Sequence, residues 1–265
     1  MLSSVSLTCR RRKLLVALCL CVVSSRVGAH EWPHYGNDIG GSRYSPLKQI
    51  NKQNVTRLKP AWTYHTGDIS DGTRYPVRSA FECTPLVVDG VMYISTPFCR
   101  VAALEAETGK ELWSFDPKID KERSYGLFAN RGVAFWQSGT ERRIFIGTLD
   151  GRLFALDAAT GRPVRGFAND GWIDLRAGAA EKFPTKSCGM TSPPLIYKDV
   201  VIAGSMVSDG EPRGPSGDVR AYDARTGREV WRFHTVPRPA NLARHLGEGL
   251  LDRPWWDECV GTDEL

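Results

Sequence analysis

Five residues of types that do chemistry stand out as candidates, spread over four separate stretches: Glu82, Arg131, Thr191 with Ser192, and Asp209. Glu82 stands between Phe81 and Cys83 at the start of an apolar run. A carboxylate there accepts hydrogen bonds, and neighbouring backbone N–H groups are its simplest partners. Arg131 lies in ANRGVAFW (residues 129–136). Its N–H donors match planar oxygens and stabilise negative charge as it develops; an Arg–carboxylate bridge on a sheet surface uses the same donors. Thr191 and Ser192, in GMTSPPLIY, are short hydroxyls where a strand begins, an ordinary place for local capping. Asp209 lies in AGSMVSDGEPRGPSGDVRAYD, with Ser208 and Asp218 as near competitors. A hard cation draws carboxylate and carbonyl oxygens from separated segments, and Asp-Gly is equally a plain turn. The five histidines (His30, His34, His65, His234, His245) share no motif. No C-x-x-C and no His/Cys group of zinc spacing occurs.

The scaffold that must position these groups is a repeat. An eleven-residue stretch occurs three times: ALEAETGKELW (103–113), ALDAATGRPVR (155–165) and AYDARTGREVW (221–231). The starts are 52 and 66 residues apart, the spacing of a repeat architecture. Each copy predicts a strand, a turn and a second strand ending in Trp, with Arg165 in place of Trp in the middle copy. In the turn the acidic and Thr oxygens accept N–H groups, and Gly supplies a positive φ. A half-copy, NVTRLKPAW, closes on Trp62. Further hairpins are expected upstream, at Asp89-Gly90 in TPLVVDGVMYIST and at Lys198-Asp199 in PPLIYKDVVIAGS. Two hairpins per repeat make a four-stranded antiparallel unit, and such units set radially make an all-β propeller. Trp113, Trp231 and Trp62 are read as structural, each burying a large apolar area between blades. The alternative is a β-sandwich with unrelated T-G turns.

At the N-terminus, Arg10, Arg11, Arg12 and Lys13 precede LLVALCLCVV, and SSRVGA follows. This pattern predicts a secretory signal peptide over 1–29 and a periplasmic protein; the apolar run is half of the ~20 residues that span a bilayer. Arg11-Arg12-Lys13-Leu14-Leu15 has a faint likeness to a twin-arginine signal, and Leu18-Cys19 does not look like a lipoprotein site. The formal net charge of +5 matches the five Lys/Arg of the leader, which has no acid. The rest is balanced, which gives no case for nucleic-acid binding. Of seven cysteines, Cys83, Cys99, Cys188 and Cys259 lie beyond the leader. Cys83 and Cys99 flank one hairpin, whose simplest register sets position 83 nearer 96; an exported protein can form disulfides.

Residues 31–68, EWPHYGNDIGGSRYSPLKQINKQNVTRLKPAWTYHTGD, resemble the opening of the pyrroloquinoline quinone (PQQ) dependent quinoprotein dehydrogenases. W-x-x-Y-G, S-R-Y-S-P-L, Q-I-N-x-x-N-V and A-W-x-Y carry the likeness. So do FECTPLVVDGVMYIST (81–96), the Trp-ended repeats and GDVRAYDARTGREVWRFHTVPRP (217–239). The resemblance is greatest to the glucose and quinate dehydrogenase branch. It implies an eight-bladed propeller about twice as long as this chain, so that residues 30–239 are roughly its first half. PQQ and a divalent cation, Ca2+ or Mg2+, would lie near the axis. By that resemblance Glu82 contacts the quinone edge, Arg131 forks onto its carbonyl oxygens, Thr191 and Ser192 hydrogen-bond a PQQ carboxylate, and Asp209 is a metal ligand. Alcohol-oxidising members carry two adjacent cysteines five and six residues before the Arg. Tyr125 and Gly126 stand there in this chain, which points to a sugar or polyol substrate. The implied reaction is Ca2+-assisted hydride transfer from a hydroxyl carbon to PQQ. The implied electron acceptor is ubiquinone or a cytochrome, with peripheral association at the inner membrane. A non-catalytic scaffold of the outer-membrane assembly type shares Trp-ended repeats. It needs no Glu82, Arg131 and Asp209 set and usually carries a lipoprotein cysteine.

Beyond Pro239 the family pattern continues as D-T-W-E-x-D-S-W and then G-G-x-N-x-W-G, where the Asn is a metal ligand. Here residues 240–265 read ANLARHLGEGLLDRPWWDECVGTDEL. Codons for 255–260, read one nucleotide later, permit G-G-T-N-V-W, and those for 244–251 permit D-T-W-E-K-D-S-W. The tail is therefore expected to be an out-of-frame translation, with the general-base Asp absent and the chain inactive as written. Sequencing the coding DNA decides this, because codons that cannot yield those motifs in the shifted frame exclude it.

Overall fold

The computed structural model describes residues 30–207 and 213–236. Among them there is no α-helix; Val55–Arg57 form one 3-10 turn. The strands are β1 (Leu86–Val88), β2 (Val91–Ser95), β3 (Val101–Glu105), β4 (Glu111–Phe115), β5 (Ala134–Ser138), β6 (Glu141–Gly147), β7 (Arg152–Asp157) and β8 (Trp172–Asp174). There follow β9 (Cys188–Gly189), β10 (Leu195–Tyr197), β11 (Val200–Ala203), β12 (Met206–Val207), β13 (Val219–Asp223) and β14 (Glu229–Phe233). They form antiparallel sheets in the orders β1-β2-β3-β4, β5-β6-β7-β8 and β10-β11-β13-β14, with β9 and β12 as a separate pair. This is the all-β blade architecture that the repeats require, seen over three blades. Both expected hairpins form, with Val88 opposite Val91 and Tyr197 opposite Val200.

The three T-G turns are near copies. The N–H groups of Gly109, Gly161 and Gly227 each donate at 2.8 Å to the carbonyl of the acidic residue four positions back. Asp157 Oδ1 accepts from the Thr160 N–H (2.8 Å) and hydroxyl (2.7 Å), and Asp223 Oδ1 does the same for Thr226 (2.7 and 2.8 Å). The first two turns each receive the preceding tryptophan. Trp62 Nε1 donates to the Ala106 carbonyl at 3.2 Å and Trp113 Nε1 to that of Ala158 at 3.1 Å. The rings lie flat on Gly109 and Gly161, so close that a Cβ there would fall 2.5 and 2.3 Å from ring carbons. The Trp at the end of one copy and the turn of the next are thus one device for joining sheets.

The middle copy departs from its expected hairpin. After the turn, Pro163 makes only an isolated bridge to Leu156, and the fourth strand is β8, with Phe154 opposite Trp172. Proline has no N–H for the ladder, so a later segment takes the edge. With Arg165 in place of Trp, Phe167 and Ala168 cover Gly227. The carbonyls of Ala224 and Arg225 accept from the buried Arg143 guanidinium at 2.8 and 2.7 Å.

Two apolar clusters fill the joints between sheets. One gathers Leu86, Tyr93, Phe98, Phe128, Ile144, Ile146 and Leu156, the other Trp136, Phe145, Leu153, Phe167, Val201 and Tyr222. Burial pushes the Cys99 thiol and the Tyr125 phenol up to about 12, from ordinary values of 9.0 and 10.0. Both groups favour the neutral form in the fold. Their stabilisation is complete below about pH 9, where the unfolded thiol is still protonated, and is lost as pH rises toward 12. Urea midpoints are expected to be flat near pH 7–8 and to fall between pH 9 and 11; a flat profile to pH 11 contradicts this.

Candidate functional site

The candidate site forms where the first, innermost strands of the three sheets begin. Residues 78–84 and 128–131 run side by side: the Ala80 N–H donates to the Phe128 carbonyl (2.9 Å) and the Thr84 N–H to that of Arg131 (3.0 Å). The Arg131 N–H in turn donates to the Thr191 carbonyl at 2.8 Å. One row of backbone hydrogen bonds thus brings Glu82, Arg131, Thr191 and Ser192 together from positions up to 110 residues apart.

Arg131 Nη2 lies 2.9 Å from Glu82 Oε2, with side-chain exposures of 41% and 34%. At that exposure the pair contributes at most about 1 kcal/mol to stability, and both groups remain open to a ligand. Thr191 is half-buried and Ser192 exposed on the same rim. Asn130, which sequence reasoning missed, is buried and clamps the backbone on both sides of Arg131. Its Nδ2 donates to the Gly147 carbonyl (2.9 Å) and its Oδ1 accepts the Gly132 N–H (3.2 Å). An amide beside a candidate Arg was the available signal. Gly189 was missed too: it lies so close to the Leu149 and Thr148 carbonyls that no Cβ fits.

Cys83 and Cys99 are both free thiols. Cys83 Sγ accepts the Ser95 N–H at 3.2 Å, and Cys99 Sγ lies 3.8 Å from Asn130 Nδ2. Asp209 and Ser208 lie outside the described residues. Asp218 is buried, with His234 Nδ1 at 2.9 Å and Arg232 at 3.9 Å. Its carboxylate is therefore engaged within its own blade. Among the described residues no three His, Cys, Asp or Glu side chains form a cation site.

Fold and site define a run of four-stranded antiparallel blades whose inner strand starts present an Arg–Glu pair. The chain belongs to the PQQ-dependent glucose/ethanol/alcohol dehydrogenase β-propeller family, whose domain model matches residues 32–251. It is 37% identical over 232 residues to quinoprotein glucose dehydrogenase of Escherichia coli, covering 82% of this chain and 28% of that protein. It is 39% identical over 226 residues to the dehydrogenase subunit of the quinone alcohol dehydrogenase of Gluconobacter oxydans (83% and 27%). The crystal structure of quinohemoprotein alcohol dehydrogenase from Comamonas testosteroni superposes with a TM-score of 0.64 at 36% identity, over 80% of this chain and 29% of that one. The matched part is less than a third of the length of each of these relatives.

The residues present fit PQQ. A guanidinium has five N–H donors, and Arg131 meets Glu82 through one nitrogen. The rest of the fork suits the planar, anionic oxygens of a carboxylated quinone.

Proposed function

We propose that this chain supplies the PQQ-binding inner strands of a periplasmic dehydrogenase that oxidises a sugar or polyol hydroxyl. The observation that carries the reading is the half-exposed Glu82–Arg131 pair, held on a backbone frame shared with Thr191. Arg131 donates hydrogen bonds to the cofactor's planar oxygens, Glu82 fixes the guanidinium plane, and the Thr191 and Ser192 hydroxyls donate to a cofactor carboxylate. When bound, PQQ supplies a two-electron quinone that takes hydride from the substrate carbon. Asp209 serves as one ligand of Ca2+ or Mg2+, a hard cation that needs further oxygens from other segments. The preference for polyols rests on Tyr125 and Gly126. Tyr125 is buried against Phe128, with ring centroids 5.9 Å apart, so no cysteine pair occupies this place. Residues 1–29 act as the export signal, and electrons pass to ubiquinone or a cytochrome at the inner membrane. Residues 240–265 are an out-of-frame tail, a reading supported by the motifs that the shifted codons permit.

The test uses residues 30–236 fused in frame to the remaining sheets of a relative, loaded with PQQ and Ca2+ and assayed by dye reduction over sugars, polyols and alcohols. Arg131→Lys keeps the charge but loses the planar fork and is expected to weaken PQQ binding by about 10- to 100-fold, or about 1.4–2.7 kcal/mol. Glu82→Gln is expected to lose less. Unchanged PQQ titration in Arg131→Lys would remove Arg131 from the site. Turnover of simple alcohols alone would refute the polyol reading.

A further inference from the structure

Glu82, Arg131 and Thr191 each stand near the end of a segment that leads into a sheet, and each segment is held at its start by an arginine outside the site. Arg100 Nη1 donates to the Thr66 carbonyl at 3.0 Å, and Arg152 Nη2 to that of Pro117 at 2.8 Å. The two are equivalent. Each arginine stands three residues before a repeat copy, and each carbonyl four residues after a docking tryptophan, Trp62 or Trp113. In the third copy that position is Asp218. Arg220, two residues on and so on the same face of the strand, donates instead to the carbonyls of Ala177 (3.0 Å) and Leu175. The far end of each segment is held where the second strand of the same sheet ends. The Ser95 N–H donates to Cys83 Sγ (3.2 Å), Asn130 Nδ2 donates to the Gly147 carbonyl (2.9 Å), and Gly189 pairs with Met206 just beyond β11. Carboxylates and hydroxyls orient the first two guanidinium groups. Arg100 meets Asp68 Oδ1 at 3.0 Å, and the Thr96 hydroxyl donates to the other oxygen of Asp68. Arg152 meets both oxygens of Asp150, and the Thr148 hydroxyl donates to the same carboxylate. The Thr96 and Thr148 hydroxyls in turn accept the backbone N–H of Arg100 (3.1 Å) and Arg152 (3.0 Å). Arg220 is buried.

We infer that Arg100, Arg152 and Arg220 are positioning residues for the candidate site, one for each segment that carries Glu82, Arg131 and Thr191. They act through the backbone: the arginine fixes where its segment begins, the contact at the second strand fixes where it enters the sheet, and the site residue stands beside that second contact. The docking tryptophans cannot do this. They hold the T-G turns, at the ends of β3 and β7 away from the site, whereas Arg100 and Arg152 hold the ends that face it. Arg152 has the most direct hold, because the β6–β7 turn reaches Arg131 by two routes. One runs through Pro117 and Asn130. The other runs through the Thr148 carbonyl, which accepts the Met190 N–H at 2.8 Å next to Thr191, the residue whose carbonyl accepts the Arg131 N–H. For its purpose the inference rests on the proposed cofactor site; the geometry it invokes is measured without the cofactor.

The test uses the whole chain. Arg152→Gln is expected to speed hydrogen exchange at the Arg131 amide by at least about tenfold more than at the amides of β3, because the loss is local. Arg152→Lys keeps the charge without the planar fork; it should keep part of the protection, and it carries the test if Arg152→Gln does not fold. Arg143→Gln is the control. Arg143 is also buried and donates to two carbonyls, those of Ala224 and Arg225, but at a T-G turn. Its loss should lower the urea midpoint without singling out the Arg131 amide. Titration with PQQ, followed by tryptophan fluorescence, should show about tenfold weaker binding for Arg152→Gln and unchanged binding for Arg143→Gln. A chain that binds no PQQ would fail the cofactor reading, while exchange still decides the positioning. Uniform acceleration in Arg152→Gln, equal selectivity for Arg131 in Arg143→Gln, or unchanged PQQ affinity in an Arg152→Gln chain with a loosened Arg131 amide would each overturn the inference.

Discussion

Replacing Gly161 by alanine is expected to destabilise the chain by about 2–5 kcal/mol, from two separable causes. Gly161 has φ +70, where an L side chain costs about 1–2 kcal/mol. The added Cβ would also lie 2.3 Å from the Trp113 ring, and overpacking of that kind costs about 1–3 kcal/mol. Gly139 separates the causes. It has φ +57, and nothing lies within 4 Å of the place an added methyl would take, so Gly139→Ala should show only the backbone part. Urea unfolding of the two variants gives the difference. Adding Trp113→Ala removes the collision partner, so in a double-mutant cycle the Gly161→Ala penalty should shrink toward that of Gly139→Ala. Equal losses at Gly139 and Gly161 would show that the ring does not rest on the turn.

That turn is also where the sequence was most legible. The acidic, Thr and Gly positions each have a local role, so three matched copies sufficed to place the turns and the strands before them, and Trp62 and Trp113 dock as read, while Trp231, read the same way, is exposed. The Asp89-Gly90 hairpin was legible for the same reason, both residues taking positive φ (47 and 75). The middle copy was read less well. Pro163 was visible in the sequence, but the strand that replaces the broken one lies nine residues later, at Trp172. Nothing local selects that segment; the need to cover the free edge of β7 does. The site was legible only as separate residues. The meeting of Glu82 and Arg131 depends on the segments leading into β1 and β5 running side by side, a long-range arrangement with no local pattern. Asn130 was overlooked because its part is to fix the backbone that carries Arg131, and it forms no motif of its own.

Gly189→Ala is expected to have the widest effect at the site, because it couples stability to the position of Thr191. Gly189 is in β9, paired with Met206 of β12. A Cβ on it would lie 2.1 Å from the Leu149 carbonyl oxygen and 3.0 Å from that of Thr148. Both obstacles are backbone, so no rotamer change relieves the contact, and the strand must move away. The Met190 N–H, which donates to the Thr148 carbonyl at 2.8 Å, goes with it. Thr191 is the next residue, and its carbonyl accepts the Arg131 N–H. The expected loss is about 3 kcal/mol, the upper end for overpacking, together with faster hydrogen exchange at the Arg131 amide. Gly204→Ala is the comparison. Nothing lies within 4 Å of its Cβ position, and its effect should stay within about 0.5 kcal/mol. If Gly189→Ala unfolds the chain outright, the smaller test is Met190→Ala, which leaves the Gly189 approach untouched and should preserve Arg131 amide protection. Full stability and full Arg131 protection in Gly189→Ala would mean that the β9 strand does not set the frame on which Arg131 is held.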